Sequence, residues 1–264
     1  MTAPQAKGRL GRIVLHGGAV LGLTVLTQLG GLAWLAALAV RRGRLATFSI
    51  FLLAYVGLWG GAQVTAPIFG RVPLPCSGEV LRAQSRLYCV LLRNFVTPEM
   101  ADVAIDAARA VAVQFPGTVT LTLDGGFPFL DGMPLVPHLS HDDGEKLDFA
   151  FYYADTFYGD GAYLPGLTDS AVGYFSFLRM GEETCPPVWP TLRWEMRWLE
   201  PLHLFIGLEP ERTRALIEAL AKDPRVAKIF VEPPVAAALG VAGEKIRFQG
   251  CRAARHDDHI HVQL

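Results

Sequence analysis

The sequence predicts an α+β protein in which an antiparallel sheet with flanking helices follows two transmembrane helices. Residues 13–40 and 45–70 contain no charged side chain, and all 25 acidic residues follow position 70. Beyond that point, segments with helical spacing of apolar residues alternate with short runs rich in β-branched residues. We therefore divide the chain into a membrane anchor over 1–70, a linker over 71–96 and a folded domain over 97–264.

The anchor prediction depends on length, because a membrane-spanning helix needs about 20 mostly apolar residues and both uncharged segments exceed that. A cleaved signal peptide is the alternative for the first segment, but the apolar stretch is long for one and a second span follows. Three basic residues precede the first span and three lie between the two spans, so charge counting does not select an orientation. Two spans place both chain ends on the same side of the membrane.

The folded part is predicted from local signals taken in order. Thr97-Pro98-Glu99 opens a helix, because threonine suits the N-cap and proline the first turn. Pro116-Gly117 ends that helix. Later segments show either the apolar spacing of a helix or the alternation of a strand. The predicted strands are 118–123, 147–153, 171–178, 228–231 and 259–264, and the other predicted helices are 190–207 and 210–222.

All four cysteines follow the predicted spans, and no pair has the CxxC spacing of a zinc ribbon or redox site. An even number within one domain favours disulfides formed in an oxidising compartment. We expect a local bridge between Cys76 and Cys89 and a long-range bridge between Cys185 and Cys251. Four unrelated buried thiols are the alternative. Because the part after residue 70 is acidic, a nucleic-acid binder that uses a basic patch is excluded.

Five of the seven histidines fall in two short clusters, and these carry the functional prediction. On a strand, residues i and i+2 point to the same face, so His259 and His261 project into one site. Catalytic zinc commonly has three protein ligands and one position for water. His141, Asp148 and one histidine of the terminal pair supply such a set. The clustered histidines are His138 and His141, then His256, His259 and His261.

Two further groups each have two interpretations. Asp257 and Asp258 either orient a neighbouring histidine by hydrogen bonding or belong to a solvated turn. The side chains of Trp189, Trp194 and Trp198 either line a peptide groove or pack in the core, and core packing is the default expectation.

The two histidine clusters resemble the penicillin-insensitive murein endopeptidase family, zinc peptidases of the lysostaphin, D-Ala-D-Ala peptidase and hedgehog group. Residues 138–148 read HLSHDDGEKLD and residues 256–262 read HDDHIHV, and the resemblance covers roughly residues 97–264. It implies zinc held by His141, Asp148 and His261. It also implies that His259 is a base or transition-state stabiliser, that His138 and His256 line the site, and that His138 approaches the metal.

The resemblance implies a zinc metalloendopeptidase that cleaves peptide cross-links of peptidoglycan, with His259 and His256 as catalytic residues. Members of the family are usually exported soluble proteins, whereas the two predicted spans make this chain membrane-anchored. Its partner is a peptidoglycan peptide, and its place is the bacterial inner membrane with the domain in the periplasm. The alternatives are a D,D-carboxypeptidase or dipeptidase with the same site, and a non-catalytic tethered wall-binding protein. The chain departs from the family in the charged residues Asp142, Asp143, Glu145 and Lys146, which alter the rim rather than the ligands.

Overall fold

The computed structural model describes residues 3–40, 43–156, 161–178 and 185–264, and these form a mixed α+β structure. The helices are α1 Ala3–Thr27, α2 Gly30–Ala39, α3 Arg44–Thr65, α4 Arg86–Val90, α5 Pro98–Gln114, α6 Pro210–Lys222 and α7 Pro233–Leu239. The strands are β1 Val72–Pro73, β2 Leu81–Ala83, β3 Phe95–Val96, β4 Thr120–Thr122, β5 Lys146–Ala150, β6 Tyr153–Ala154, β7 Gly207–Leu208, β8 Lys228–Phe230, β9 Ile246–Arg247 and β10 His259–Gln263.

The first apolar segment is a helical hairpin rather than the single span predicted over 13–40. The chain turns at Gln28, whose φ of 63° is in the left-handed region, and α2 then runs back along α1. A Cβ on Gly31 would lie 1.9 Å from the Thr24 hydroxyl oxygen, so a glycine is required for this close approach. Further along, the rings of His16 and Trp34 are 5.9 Å apart, which places the middle of α1 beside the middle of α2.

Helix α3 runs back along α2, so the chain reverses its direction a second time. The contact between Trp34 of α2 and Phe51 of α3, with ring centroids 5.5 Å apart, shows this packing. Helices α1 and α3 therefore run in the same direction. Arg12 of α1 lines a cavity with Leu38, near the end of α2 and the start of α3, whereas Gln28, at the other end of α2, contacts the folded domain. Two spans that run in the same direction would put the N-terminal end and the folded domain on opposite sides of a membrane, unlike the two oppositely directed spans of the prediction.

Two helical stretches of the described chain, Leu10–Thr27 and Arg44–Phe69, are long and apolar enough to cross a membrane. Helix α2 has ten residues and is therefore about 15 Å long, roughly half the thickness of a hydrocarbon core. Of the three anchor helices, only α1 and α3 have the length of a span.

Residues 71–96 are part of the folded domain and not a linker. Strand β2 pairs in parallel with β4, and β1 pairs with β3 in a small separate sheet. Leu74, Leu92 and Phe95 are fully buried, which explains why this segment folds with the domain. The sequence signal was weak because its strands are only two or three residues long.

The principal sheet has six strands in the order β2-β4-β5-β10-β8-β9. Its central pairs are antiparallel as predicted, but the two edge pairs, β2 with β4 and β8 with β9, are parallel. Helices α5 and α6 cover one face and form the main core with inward residues of β5 and β10. The side chains that alternate with those residues face the opposite side of the sheet, where the functional cluster lies.

Most local predictions after residue 96 are confirmed, and two are wrong. The Thr97 side chain caps α5 by accepting from the backbone N–H of Met100. Residues 171–178 form turns instead of a strand, and 190–207 contains only the short 3-10 helix Arg197–Leu202. Met196 and Phe205 have positive φ, which is incompatible with a continuous helix. Both predicted disulfides, Cys76–Cys89 and Cys185–Cys251, are present.

Candidate metal site

Two adjacent strands position the central residues of the site. In the pairing of β5 with β10, His261 is the direct cross-strand partner of Asp148, and His259 is opposite Ala150. Asp148, His259 and His261 are therefore on one face, while Phe149, Ile260 and their alternating neighbours pack on the helices. The prediction that His259 and His261 share a face is consistent with this geometry.

One carboxylate oxygen of Asp148 faces two histidines. Oδ1 is 2.7 Å from Nδ1 of His261 and 3.2 Å from Nε2 of His141, and these two nitrogens are 3.0 Å apart. All three side chains are buried. The three atoms form a group whose members lie within 4.8 Å of one another, which suits a single metal ion.

The ring nitrogens of His141 and His261 that face away from Asp148 also have hydrogen-bonding partners. His141 Nδ1 is 2.7 Å from the Gly125 carbonyl oxygen, which leaves Nε2 directed at Asp148. The Gln263 side-chain amide lies 3.0 Å from Nε2 of His261, so Nδ1 is the nitrogen that faces the site. Outer hydrogen bonds of this kind orient histidine ligands in metal sites. The donor set therefore fits a metal ion, and two imidazoles with one carboxylate are typical of catalytic zinc.

The other carboxylate oxygen of Asp148 faces a second pair of histidines. Oδ2 is 3.3 Å from His138 Nδ1 and 3.6 Å from His259 Nε2, and it accepts a hydrogen bond from the Tyr174 hydroxyl at 2.7 Å. His138, Asp148 and His259 form a second group that could hold a cation. Asp148 thus divides the site into an Oδ1 side, with His141 and His261, and an Oδ2 side, with His138 and His259.

His259 differs from the other clustered histidines because one of its buried ring nitrogens makes no hydrogen bond within the described residues. Nδ1 is hydrogen-bonded to the Asp258 carboxylate, whereas Nε2 is buried, makes no hydrogen bond in the described part of the chain and lies 3.6 Å from Asp148 Oδ2. Asp258 is itself held, since it accepts from the backbone N–H of Phe175 at 2.6 Å. Of the two adjacent aspartates, Asp258 orients the histidine, whereas Asp257 pairs with Arg255.

The buried charges set the proton affinities of the cluster. Burial raises the pKa of Asp148, but the charges of His141, His259 and His261 lower that pKa well below its usual range. For His259, burial lowers the pKa, and the stronger effect of Asp148 and Asp258 raises that pKa to about 9.

Two other histidines of the cluster favour the neutral form. Burial, only partly offset by Asp148, lowers the pKa of His261 to about 4. Burial and the neighbouring charge of His259 lower the pKa of His256 well below its ordinary value. At neutral pH, the His261 imidazole is therefore in the neutral form that metal binding requires.

All five clustered histidines line one cleft of about 550 Å³, so the two clusters do converge. Leu192 and Gln249 also line this cleft. His256 lies beside the other clustered histidines, with its ring 4.9 Å from that of His259, and its backbone N–H donates to the Glu232 carboxylate. The expected core packing of the tryptophans is wrong: Trp189 is 87% exposed and Trp198 is 72% exposed, while Trp194 borders an adjoining cleft near His138 and His259.

Sequence reasoning missed three residues of the site. Asp124 is 3.2 Å from His138 Nδ1 and is paired through both carboxylate oxygens with Arg93. Tyr174 donates to Asp148 and accepts from the backbone N–H of Asp124. The position of Asp124 directly after the β4 region was the available signal; Tyr174 is on an irregular segment and gave none.

Comparison of the chain with models of known protein families and with curated proteins finds no match. The resemblance to murein endopeptidases therefore stays a prediction based on the two histidine motifs.

Proposed function

We propose that this protein is a membrane-anchored zinc metalloendopeptidase that cleaves peptide cross-links of peptidoglycan. The observation that carries the proposal is the convergence of His141 Nε2, Asp148 Oδ1 and His261 Nδ1 beside Nε2 of His259, which makes no hydrogen bond among the residues that the structure describes. Three ligands and a separate proton-transfer group in an open cleft are the components that hydrolysis of an amide requires.

His141, Asp148 and His261 would hold the zinc ion. A zinc ion bound there supplies Lewis-acid activation of a water molecule and of the scissile carbonyl. His259 is placed to exchange a proton at Nε2, because Asp258 occupies Nδ1 and keeps the ring oriented. His256 is neutral and 4.9 Å from His259 by ring centroids, so it shapes the polar wall against which the substrate binds.

The direction of the anchor helices supports a site outside the cytoplasm. Arg12 and Arg44 lie near the end of the bundle away from the domain, and in sequence Arg41 and Arg42 belong to the same connection as Gly43. Basic residues mark the cytoplasmic side of a membrane protein. We infer that the domain is on the opposite, oxidising side of the membrane, and the two disulfides support this inference.

The test is digestion of purified peptidoglycan by the full chain in detergent with zinc, followed by mass analysis of the released fragments. We expect cross-linked dimers to be converted to monomers. His261→Ala should abolish the conversion, whereas His203→Ala, which changes a histidine outside the clusters, should not.

Each other outcome of this digestion has a defined meaning. Release of terminal D-alanine without loss of cross-links would replace the proposal by a D,D-carboxypeptidase. An intact substrate with zinc bound to the protein would indicate a non-catalytic tethered protein.

A further inference from the structure

The loop over residues 127–144 carries both histidines of the first cluster. It contains no helix or named strand, so the positions of His138 and His141 depend on what holds the loop. Loops of this length are usually among the more mobile parts of a fold. The contacts that fix this one come in part from the membrane anchor.

The tip of the α1–α2 hairpin binds the loop directly. Gln28 is 6% exposed, and its Oε1 accepts a hydrogen bond from the backbone N–H of Phe129 at 3.1 Å. Its Nε2 donates to the sulfur of Met133 at 3.6 Å. The Phe129 ring also packs edge-on against Phe69, with centroids 5.1 Å apart. Phe69 is the last residue of the short 3-10 helix Ala66–Phe69 that follows α3.

A second residue next to the anchor holds the other part of the loop. The Arg71 guanidinium forms an ion pair with Asp131, and its side chain crosses Gly144. A Cβ on Gly144 would lie 2.4 Å from Arg71 Nε, and φ at Gly144 is 72°, so a glycine is needed there. Gly144 is only three residues from His141.

The anchor and the domain also share a core behind the loop. This core contains Ala62 of α3 and Ala66, which follows α3, packed with Leu92 and Phe95 of the domain. Three partly buried residues complete the cluster: Leu29, Trp59 and Phe129. The neighbouring Arg93 donates to the Val136 carbonyl at 3.0 Å and pairs with Asp124, which contacts His138. The contacts therefore continue from the anchor to the first histidine cluster.

We propose that the membrane hairpin is a positioning element of the metal site, in which Gln28 and Arg71 hold the loop 127–144 that carries His138 and His141. The inference extends the proposed function by making metal binding dependent on the anchor. A domain separated from the hairpin loses the contacts of Gln28 to Phe129 and Met133. The affinity for the metal is therefore highest while the domain is attached to the hairpin. Gln28 acts through the loop and touches no ligand.

The experiment uses the full chain in detergent and measures hydrogen exchange of backbone amides in 127–144 without metal, then zinc affinity by competition with a chelator. Gln28→Met keeps the side-chain length and removes both hydrogen bonds. We expect exchange in 127–137 to rise about tenfold, since the lost bonds are worth roughly 1 kcal/mol or more. Zinc affinity should fall about tenfold, the usual cost of disturbing groups that orient a ligand.

Two matched variants sharpen the test. Gln28→Glu keeps an acceptor for the Phe129 N–H and should restore part of the exchange protection and of the zinc affinity. Gln63→Met changes a half-buried glutamine on α3 and should leave both measurements at the wild-type value. Exchange in α6 reports whether the domain has remained folded.

Unchanged exchange and zinc affinity in Gln28→Met would overturn the proposal. If this variant also exposes α6, Asp131→Ala replaces it, because the Asp131 side chain is 72% exposed and its removal spares the core. Faster exchange in the loop alone then supports the proposal, and unchanged exchange overturns it. The exchange measurement tests the loop contacts without metal and does not depend on the proposed function. Failure of the wild-type chain to bind zinc would refute the proposed function and leave the exchange result valid.

Discussion

The strand-borne and loop-borne halves of the site are held in different ways. Asp148, His259 and His261 are on paired strands, so backbone hydrogen bonds and register fix their relative positions. His138 and His141 are on an irregular loop, whose position depends on distant contacts such as that of Gln28 with Phe129. The difference indicates that the strands set the ligand geometry and that the loop completes it. Loop variants other than those of the ligand His141 should therefore change affinity, while variants of the strand-borne residues should remove function.

The largest expected effect comes from Asp148, the strand-borne residue that is shared by the Oδ1 side and the Oδ2 side of the site. Asp148→Ala removes the oxygen that faces His141 and His261 and also the oxygen that faces His138 and His259. We expect zinc content, measured by elemental analysis of the purified full chain, to fall from about one per chain to none. Hydrolysis should be lost with it.

The matched control for this change is Asp102→Ala, which removes an exposed carboxylate on α5 and should keep full zinc content. Full retention of zinc by Asp148→Ala would show that the carboxylate is not a ligand. The shared position of Asp148 would then have only a structural role.

The next comparison separates two histidines on the same strand. His261→Ala should lose zinc, because Nδ1 belongs to the ligand group. His259→Ala should keep zinc and lose activity by about 10²–10⁴, the weight of a positioned acid or base. Zinc content and cleavage rate measured on the same preparations test both expectations. Equal loss of metal from the two variants would mean that His259 is a ligand.

Prediction from sequence succeeded where the local pattern determines the geometry. Alternation along residues 259–264 indicated the shared face of His259 and His261, and the structure has β10 there. It failed where long-range contacts decide, as for Gln28, whose role depends on partners 101 and 105 residues away. The hairpin was missed for the same reason, since the turn at Gln28 is not separated by charge or proline from the helices on either side.

A smaller effect concerns the pH dependence of stability without metal. The pKa of His259 is raised to about 9 by Asp148 and Asp258 despite burial. A raised pKa in the folded state stabilises the protein fully below the unfolded value of about 6.5, and that stability is lost as the pH rises toward 9. The pKa of His141 is raised as well, so it acts in the same direction.

We expect the contribution of His259 to the free energy of unfolding of the metal-free chain to fall by about 3 kcal/mol between pH 6 and pH 9. The lowered pKa values of His256 and His261 oppose part of this fall. Denaturant titrations at the two pH values measure this change. His259→Gln should remove most of the slope. A slope that persists in that variant would assign the titration to another group.

The smallest effect is expected from the loop-borne His138, which the family resemblance places near the metal. Its Nδ1 faces Asp124 and the Oδ2 side of Asp148, at 3.2 and 3.3 Å, and it is not a member of the group formed by His141, Asp148 and His261. His138→Ala should therefore keep zinc and weaken its affinity about tenfold, because the orientation of Asp148 is disturbed. Chelator competition on the full chain measures the affinity, with His203→Ala as the control for loss of a histidine that belongs to neither cluster. Complete loss of zinc would make His138 a ligand, and the loop would then contribute as much to the metal geometry as the strands do.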